Sequence, residues 1–112
     1  MQTVNLYERK TFRYADGWSN ADSWDYLTTL KLTPARLVRE SRGYDDGGTW
    51  VQYARIPAGA DWRQIARAIR QTTGGSNCRH EYDCCGCELR TVFTKLVSPR
   101  KLLVRTSIGY NY

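Results

Sequence analysis

The spacing of apolar residues predicts one amphipathic helix in the second half of the chain. In residues 60–72 (ADWRQIARAIRQT), an apolar stripe at positions i, i+3, i+4 and i+7 is formed by Trp62, Ile65, Ala66 and Ile69. The pair Gly74-Gly75 follows and is expected to end the helix. We therefore expect this helix to pack one face against the rest of the protein.

Strand-like patterns precede this helix. Residues 3–14 are polar and aromatic and predict an edge strand. Residues 35–41 and 49–56 are two further strand-like runs, the second rich in aromatic and β-branched side chains. The segment RGYDDGG between them has the Gly and Asp content of a hairpin loop. A β-hairpin is the expected structure.

A second hairpin is predicted at the end of the chain, from residues 88–97 and 102–108. The turn falls at Ser98-Pro99-Arg100-Lys101, where the fixed φ of proline suits a type I turn. Alternation predicts that one face of the last strand carries Leu102, Val104, Thr106 and Ile108.

For residues 18–30 (WSNADSWDYLTTL) we predict a short helix. Ser19 or Asn20 would cap it, Asp22 would lie in its first turn, and Trp24, Leu27 and Leu30 would share a face. Pro34 would end whatever precedes it. The predicted class is thus α+β: a single domain, residues 1–112, with an antiparallel sheet of about four or five strands, one main helix and a Cys/His-rich knuckle.

The charge of the chain is concentrated in its second half. Net charge is +6; residues 1–52 hold seven basic and seven acidic side chains, whereas residues 53–112 hold ten basic and four acidic ones. Thirteen of the seventeen basic residues are Arg, whose planar guanidinium suits phosphate, carboxylate and aromatic partners. The second half can therefore attract nucleic acid or an acidic protein surface.

The candidate contact residues for such a partner are basic or aromatic. A row on the predicted helix is formed by Arg63, Arg67 and Arg70, which could contact phosphates or could form the solvated face that an amphipathic helix needs. The other candidates are two further arginines and two tyrosines expected to be exposed: Arg79, Arg90, Tyr44 and Tyr110.

All four cysteines and the only histidine lie in one ten-residue segment, CRHEYDCCGC. A tetrahedral zinc site needs four such ligands, and the predicted set is Cys78, His80, Cys84 and Cys87, with Cys85 as a possible alternative. Reduced cysteines packed in the interior and a disulfide are the other interpretations. With four protein ligands there would be no open position for water, so one Zn²⁺ would be structural.

Known catalytic motifs fit this segment poorly. His80-Glu81 begins like the H-E-x-x-H motif of metalloproteases, but position 84 is Cys and the chain has no second His. The zinc deaminase motif needs one residue between His and Glu, and here the two are adjacent. A Cys–His pair for thiol chemistry is present, but catalytic pairs normally meet across a fold. We expect a binding protein without catalytic residues, and a zinc- or thiol-dependent enzyme is the least favoured hypothesis.

The segment CRHEYDCCGC, followed by two strands ending in TSIGYNY, resembles small accessory proteins encoded by bacteriophages. The segment YADGWSNADSW is similar to a helix start in other small phage or antirestriction-linked proteins, although Ser23 stands where that pattern has Thr. The resemblance implies a protein that binds a host nucleic-acid-handling defence complex, such as a CRISPR or restriction system, and inhibits or modulates it.

Two function hypotheses follow. The first is this non-catalytic inhibitor, whose partner is a host protein or ribonucleoprotein. The alternative is a small basic protein that binds DNA or RNA directly, with a structural zinc knuckle. The first ten residues contain no apolar core of a secretory signal, and no run of about 18 apolar residues exists, so we expect a cytoplasmic location, no membrane association and no small-molecule substrate.

Overall fold

The computed structural model describes residues 2–15, 20–40, 47–76 and 87–111; for residues 75, 76, 87, 88, 110 and 111 it describes the backbone. The elements are β1 (Gln2–Arg13), β2 (Asn20–Leu32), β3 (Arg36–Glu40), β4 (Gly48–Arg55), α1 (Trp62–Thr73), β5 (Gly75–Ser76), β6 (Cys87–Ser98) and β7 (Lys101–Asn111).

All strand pairs among these elements are antiparallel and belong to one sheet, of order β1-β2-β4-β7-β6-β5, with β3 also paired to β4. The α+β class is therefore confirmed. The described sheet contains six strands of five or more residues and the two-residue β5, so the expected number of four or five was too low.

The predicted helix over residues 18–30 is wrong, because residues 20–32 form β2. Leu30 and Leu32 are buried and alternate with the exposed Thr29 and Lys31. The register shift opposite Tyr7 then brings Tyr26 to the face of Thr29, and the two hydroxyls are hydrogen-bonded at 2.7 Å. Aromatic and Thr side chains favour strands, and pairing with β1 along the full length of β2 provides a partner for that alternation.

The predicted helix over residues 60–72 is confirmed as α1. The side chain of Asp61 accepts a hydrogen bond from the N–H of Arg63 at 3.0 Å, which caps the first turn. The N–H of Gly74 donates to the carbonyl of Arg70 at 3.0 Å, where the helix ends. Three residues of the predicted stripe, Ile65, Ala66 and Ile69, are buried.

The core lies between α1 and one face of the sheet. It contains Leu6 of β1, Leu30 and Leu32 of β2, Ala54 of β4, and Leu102 and Val104 of β7, together with the buried side of α1. The predicted face of the last strand is confirmed, since its register places Leu102, Val104, Thr106 and Ile108 on this side. Fully burying one such aliphatic side chain stabilises the fold by about 1.5–3 kcal/mol.

The distal parts of β1 and β2 leave the sheet as a two-stranded ribbon. We call residues 7–13 and 20–26 the arm, because they pair with each other and, among the described strands, with no third one. A register shift between Leu6 and Tyr7 marks the base of the arm. The arm extends a thin molecule, with principal extents of 45 × 43 × 19 Å.

Candidate nucleic-acid interface

The face of the sheet opposite α1 is the candidate site, and we call it the open face. Side chains alternate across a strand, so residues next to the buried Leu102 and Val104 point away from α1. The register then places Lys101, Leu103 and Arg105 of β7 on the open face, with Tyr53 opposite Leu103 and Phe93 opposite Arg105.

Seven exposed cationic side chains lie on this face. They come from β2, β3, β4, β6 and β7: Lys31, Arg36, Arg39, Arg55, Lys95, Lys101 and Arg105. Outside the arm, no Asp or Glu occurs among the described residues that the register assigns to the open face of these strands. Basic side chains brought together from strands distant in sequence thus form one positive surface.

Among the described residues, the carboxylates that form ion pairs belong to the arm. Within the described part of the chain, all three ion pairs are in the arm: Arg9–Asp22 at 2.8 Å, Lys10–Asp25 at 3.3 Å and Lys10–Glu8 at 4.0 Å. No described carboxylate forms an ion pair with a cation of the open face, and this favours attraction of an anionic ligand to it.

Two aromatic rings are interleaved with these cations. The ammonium of Lys101 lies 4.4 Å from the ring centre of Tyr53, and the guanidinium carbon of Arg105 lies 4.6 Å from that of Phe93. These contacts orient the cations over the rings. Phe93 is nevertheless 44% exposed, so much of its apolar surface faces solvent.

A shallow cleft of about 300 Å³ surrounds the Tyr53 ring at one end of the open face. Its lining is rich in cations and consists of Lys31, Thr33, Tyr53, Ala54, Arg55, Arg100 and Lys101. A second cleft, of about 400 Å³, lies toward the other end of β4 and is lined by Val38, Arg39, Thr49, Arg105 and Ser107. The described residues of both linings include no carboxylate.

Thr33 holds the edge of the first cleft in place. Its N–H donates to the carbonyl of Tyr53 at 2.9 Å, and its hydroxyl accepts from the N–H of Tyr53 at 2.8 Å. β2 and β3 both pair with the same edge of β4, and the chain between them contains Pro34, which has no N–H to donate. The two bonds of Thr33 fill the gap between these two pairings. Lys31 and Arg36 are thereby kept on the same side of the sheet as Tyr53.

The predicted arginine row lies on the opposite side of the molecule. Arg63 and Arg67 are exposed on α1, and the Arg63 guanidinium carbon lies 5.1 Å from the ring centre of Trp62. Arg70 donates a hydrogen bond to the Thr94 hydroxyl at 2.6 Å, and Arg90 is on the α1 side of β6 by register. The row therefore does not join the open face, and its partner role stays a prediction.

Several predicted site residues fall outside the described structure. These are Tyr44, Cys78, Arg79, His80, Cys84 and Cys85; for Cys87 and Tyr110 only backbone positions, in β6 and β7, are described. Among the described residues, no three His, Cys, Asp or Glu side chains are grouped so that they could hold a metal ion. The zinc site stays a prediction from the sequence.

The arm is electrically balanced, in contrast to the open face. Its three basic and three acidic side chains are Arg9, Lys10, Arg13, Glu8, Asp22 and Asp25. The Thr11 hydroxyl and the Arg9 guanidinium both donate to the Asp22 carboxylate, at 2.7 and 2.8 Å. These hydrogen bonds, with the charge of Arg9, lower the pKa of Asp22 below its ordinary value. Asp22 thus pairs across strands instead of supporting a helix start.

In the comparisons with known proteins, no family model matches this chain, and no curated protein or solved structure matches it. None of the described helices is long and apolar enough to cross a membrane. The case for a function therefore depends on the chemistry of the open face itself.

Proposed function

We propose that this chain is a non-catalytic nucleic-acid-binding protein that holds its ligand on the open face. The observation that carries the proposal is the group of seven exposed cations without a described carboxylate among them. Nucleic acids present closely spaced phosphates, and neutralising them releases condensed counterions, which drives binding. The face also carries aromatic rings, which bases can contact.

The arrangement favours binding over catalysis. The described clefts are shallow and lined by cations, hydroxyls and aliphatic groups, without a nucleophile paired to a base. Arginine and lysine at such positions neutralise charge and orient a ligand. We therefore assign to them phosphate contacts and no bond-breaking step.

The test compares two variants that remove the same charge from opposite faces. Arg39→Gln/Arg105→Gln acts on the open face, and Arg63→Gln/Arg67→Gln acts on the exposed side of α1. Affinity is measured by fluorescence anisotropy with labelled 12-nucleotide single-stranded DNA and RNA of mixed sequence, at low salt. The first variant should weaken binding strongly and the second only slightly.

Two results would contradict the proposal. One is the absence of binding by the unmodified protein at low salt. The other is a loss of affinity in the α1 variant that matches or exceeds the loss in the open-face variant. The latter result would transfer the role to the arginine row predicted from the sequence.

A second candidate function follows from the resemblance to phage accessory proteins: the ligand would be part of a host defence ribonucleoprotein, and the chain would inhibit it. The exposed aromatic side chains of the balanced arm favour a protein contact in addition to the nucleic acid, with Tyr7 40%, Phe12 48%, Trp24 47% and Tyr26 61% exposed. Size-exclusion chromatography with light scattering against a purified CRISPR effector complex tests this candidate. A one-to-one complex that Trp24→Ala/Tyr26→Ala weakens would support it, and a complex unaffected by these changes would count against it.

A further inference from the structure

We infer that the open face selects single-stranded over duplex nucleic acid, with a base stacked at Phe93 beside Arg105. This inference depends on the proposed function and names the ligand class of the same site. Its first basis is the mixture of exposed apolar and cationic groups on one face of the sheet. A duplex presents phosphates outward and keeps its base faces stacked inside, so it would offer no base face to the exposed part of the Phe93 ring.

The position of the two rings adds to this argument. Tyr53 of β4 and Phe93 of β6 lie on opposite sides of β7, where they pair with Leu103 and Arg105. The two residues are therefore separated by two strand spacings across the sheet and by two residues along β7. With strands about 4.8 Å apart and about 3.4 Å per residue, their Cα atoms are about 12 Å apart. Bases stacked as in a duplex repeat at about 3.4 Å along each strand. Two adjacent bases could contact both rings only if the strand between them is extended, which a single strand permits.

The geometry of the sheet opposes a duplex for a second reason. Sequence readout in the major groove requires a helix or a two-stranded ribbon that enters a groove about 12 Å wide. On the open face, β4, β7 and β6 are neighbours in a continuous sheet, so none of them projects as a ribbon. The arm is a ribbon, but its equal numbers of basic and acidic side chains give it no net attraction for phosphate.

The cation–π pairs add a physical role for Arg105 and Lys101. A guanidinium stacked on a ring presents its own planar face to a base, while its N–H groups reach toward phosphate. Arg105 therefore can contact both parts of one nucleotide. Lys101, with a point charge over Tyr53, supplies phosphate attraction in the adjacent cleft.

The experiment compares a labelled 12-nucleotide single strand with the duplex of the same sequence, at low salt and at about 0.1 M salt, for the unmodified protein and for Phe93→Leu. Leucine retains an apolar side chain and removes the π face. Phe12→Leu, which changes an aromatic residue of similar exposure in the arm, is the matched control. Thermal unfolding of each variant verifies that the fold is retained.

We expect the single strand to bind at least about tenfold more tightly than the duplex. Phe93→Leu should reduce affinity for the single strand by about fivefold or more, as loss of one base–aromatic stack does, and leave duplex affinity and salt dependence unchanged. Phe12→Leu should change neither. Duplex binding equal to or tighter than that of the single strand would overturn this inference while leaving the proposed function intact. If neither form binds at low salt, both fail.

Discussion

The salt dependence of nucleic-acid affinity is the quantity that the open face predicts most sharply. For a single strand, the logarithm of the association constant falls with the logarithm of salt concentration with a slope of about −0.7 per neutralised phosphate. If each of the seven open-face cations contacts one phosphate, the slope is about −5. Affinity should then fall roughly a thousandfold between 50 and 200 mM salt.

Removing two of these cations should change both the salt slope and the affinity by a calculable amount. In Arg39→Gln/Arg105→Gln the slope should become shallower by about 1.4, and affinity at 0.1 M salt should fall about 25-fold. Anisotropy titrations at four or five NaCl concentrations measure both quantities. Arg63→Gln/Arg67→Gln, with the same loss of net charge, should keep the original slope. A slope for the unmodified protein shallower than about −2, or equal slopes for the open-face variant and the unmodified protein, would refute the reasoning.

Three further predictions concern stability and metal content. Ile65→Ala, at a position only 1% exposed between α1 and the sheet, should lower the free energy of unfolding by about 2–5 kcal/mol in urea denaturation; a loss below about 1 kcal/mol would contradict the packing described here. The pKa of Asp22 measured by NMR should lie below the ordinary carboxyl value of about 3.9. The ionised carboxylate should therefore stabilise the arm fully above that ordinary value, and this stabilisation should be lost as the pH falls through the lowered pKa. A pKa at or above the ordinary value would show that Arg9 and Thr11 do not hold the carboxylate. Protein purified without chelator should contain about one zinc per chain by elemental analysis, and less than about a tenth would end the zinc prediction for Cys78, His80, Cys84 and Cys87.

The elements that the sequence predicted correctly have a strong local signal. The stripe of Ile65, Ala66 and Ile69 has the period of a helix, and Gly74 follows it, so α1 needs no tertiary information. The last hairpin likewise has Pro99 in its turn and Leu102 and Val104 at alternate positions. In both cases, local propensity and the final packing agree.

Residues 20–32 show why a local pattern can mislead. Trp24, Leu27 and Leu30 match a helical face, while Thr28, Leu30 and Leu32 match one face of a strand equally well. Whether this segment forms a helix or a strand depends on β1, which pairs with β2 along its full length and provides neighbours for its alternating side chains. A strand pairing of this kind is a tertiary property, so periodicity within one segment does not reveal it.

The candidate site that we propose differs in position from the contact residues predicted from the sequence. The excess of arginine in the second half indicated an anionic partner, and the prediction concentrated on Arg63, Arg67 and Arg70 because they form a visible helical row. The open face instead combines residues from β2 to β7, and three of its cations, Lys31, Arg36 and Arg39, lie in the half of the chain without net charge. Only the register of the sheet brings them beside the basic second half.

One signal in the sequence does point to the open face. In β7, alternation places Lys101, Leu103 and Arg105 opposite to the apolar positions 102 and 104, so a strand with one buried face has a cationic outer face. In β6, Phe93 and Lys95 alternate in the same way with Val92, Thr94 and Leu96. The alternation in the sequence therefore predicts a hairpin whose outer face is both basic and aromatic.

Locating the ligand on the protein is the measurement that tests the central claim most directly. A single-stranded oligonucleotide that contains a photoreactive thiolated base is bound at low salt, irradiated and digested, and the cross-linked residues are identified by mass spectrometry. A ligand position on the open face predicts cross-links at Phe93, Tyr53 and their neighbours on β7, with few on α1. Cross-links confined to residues 62–73 or to the arm would contradict it.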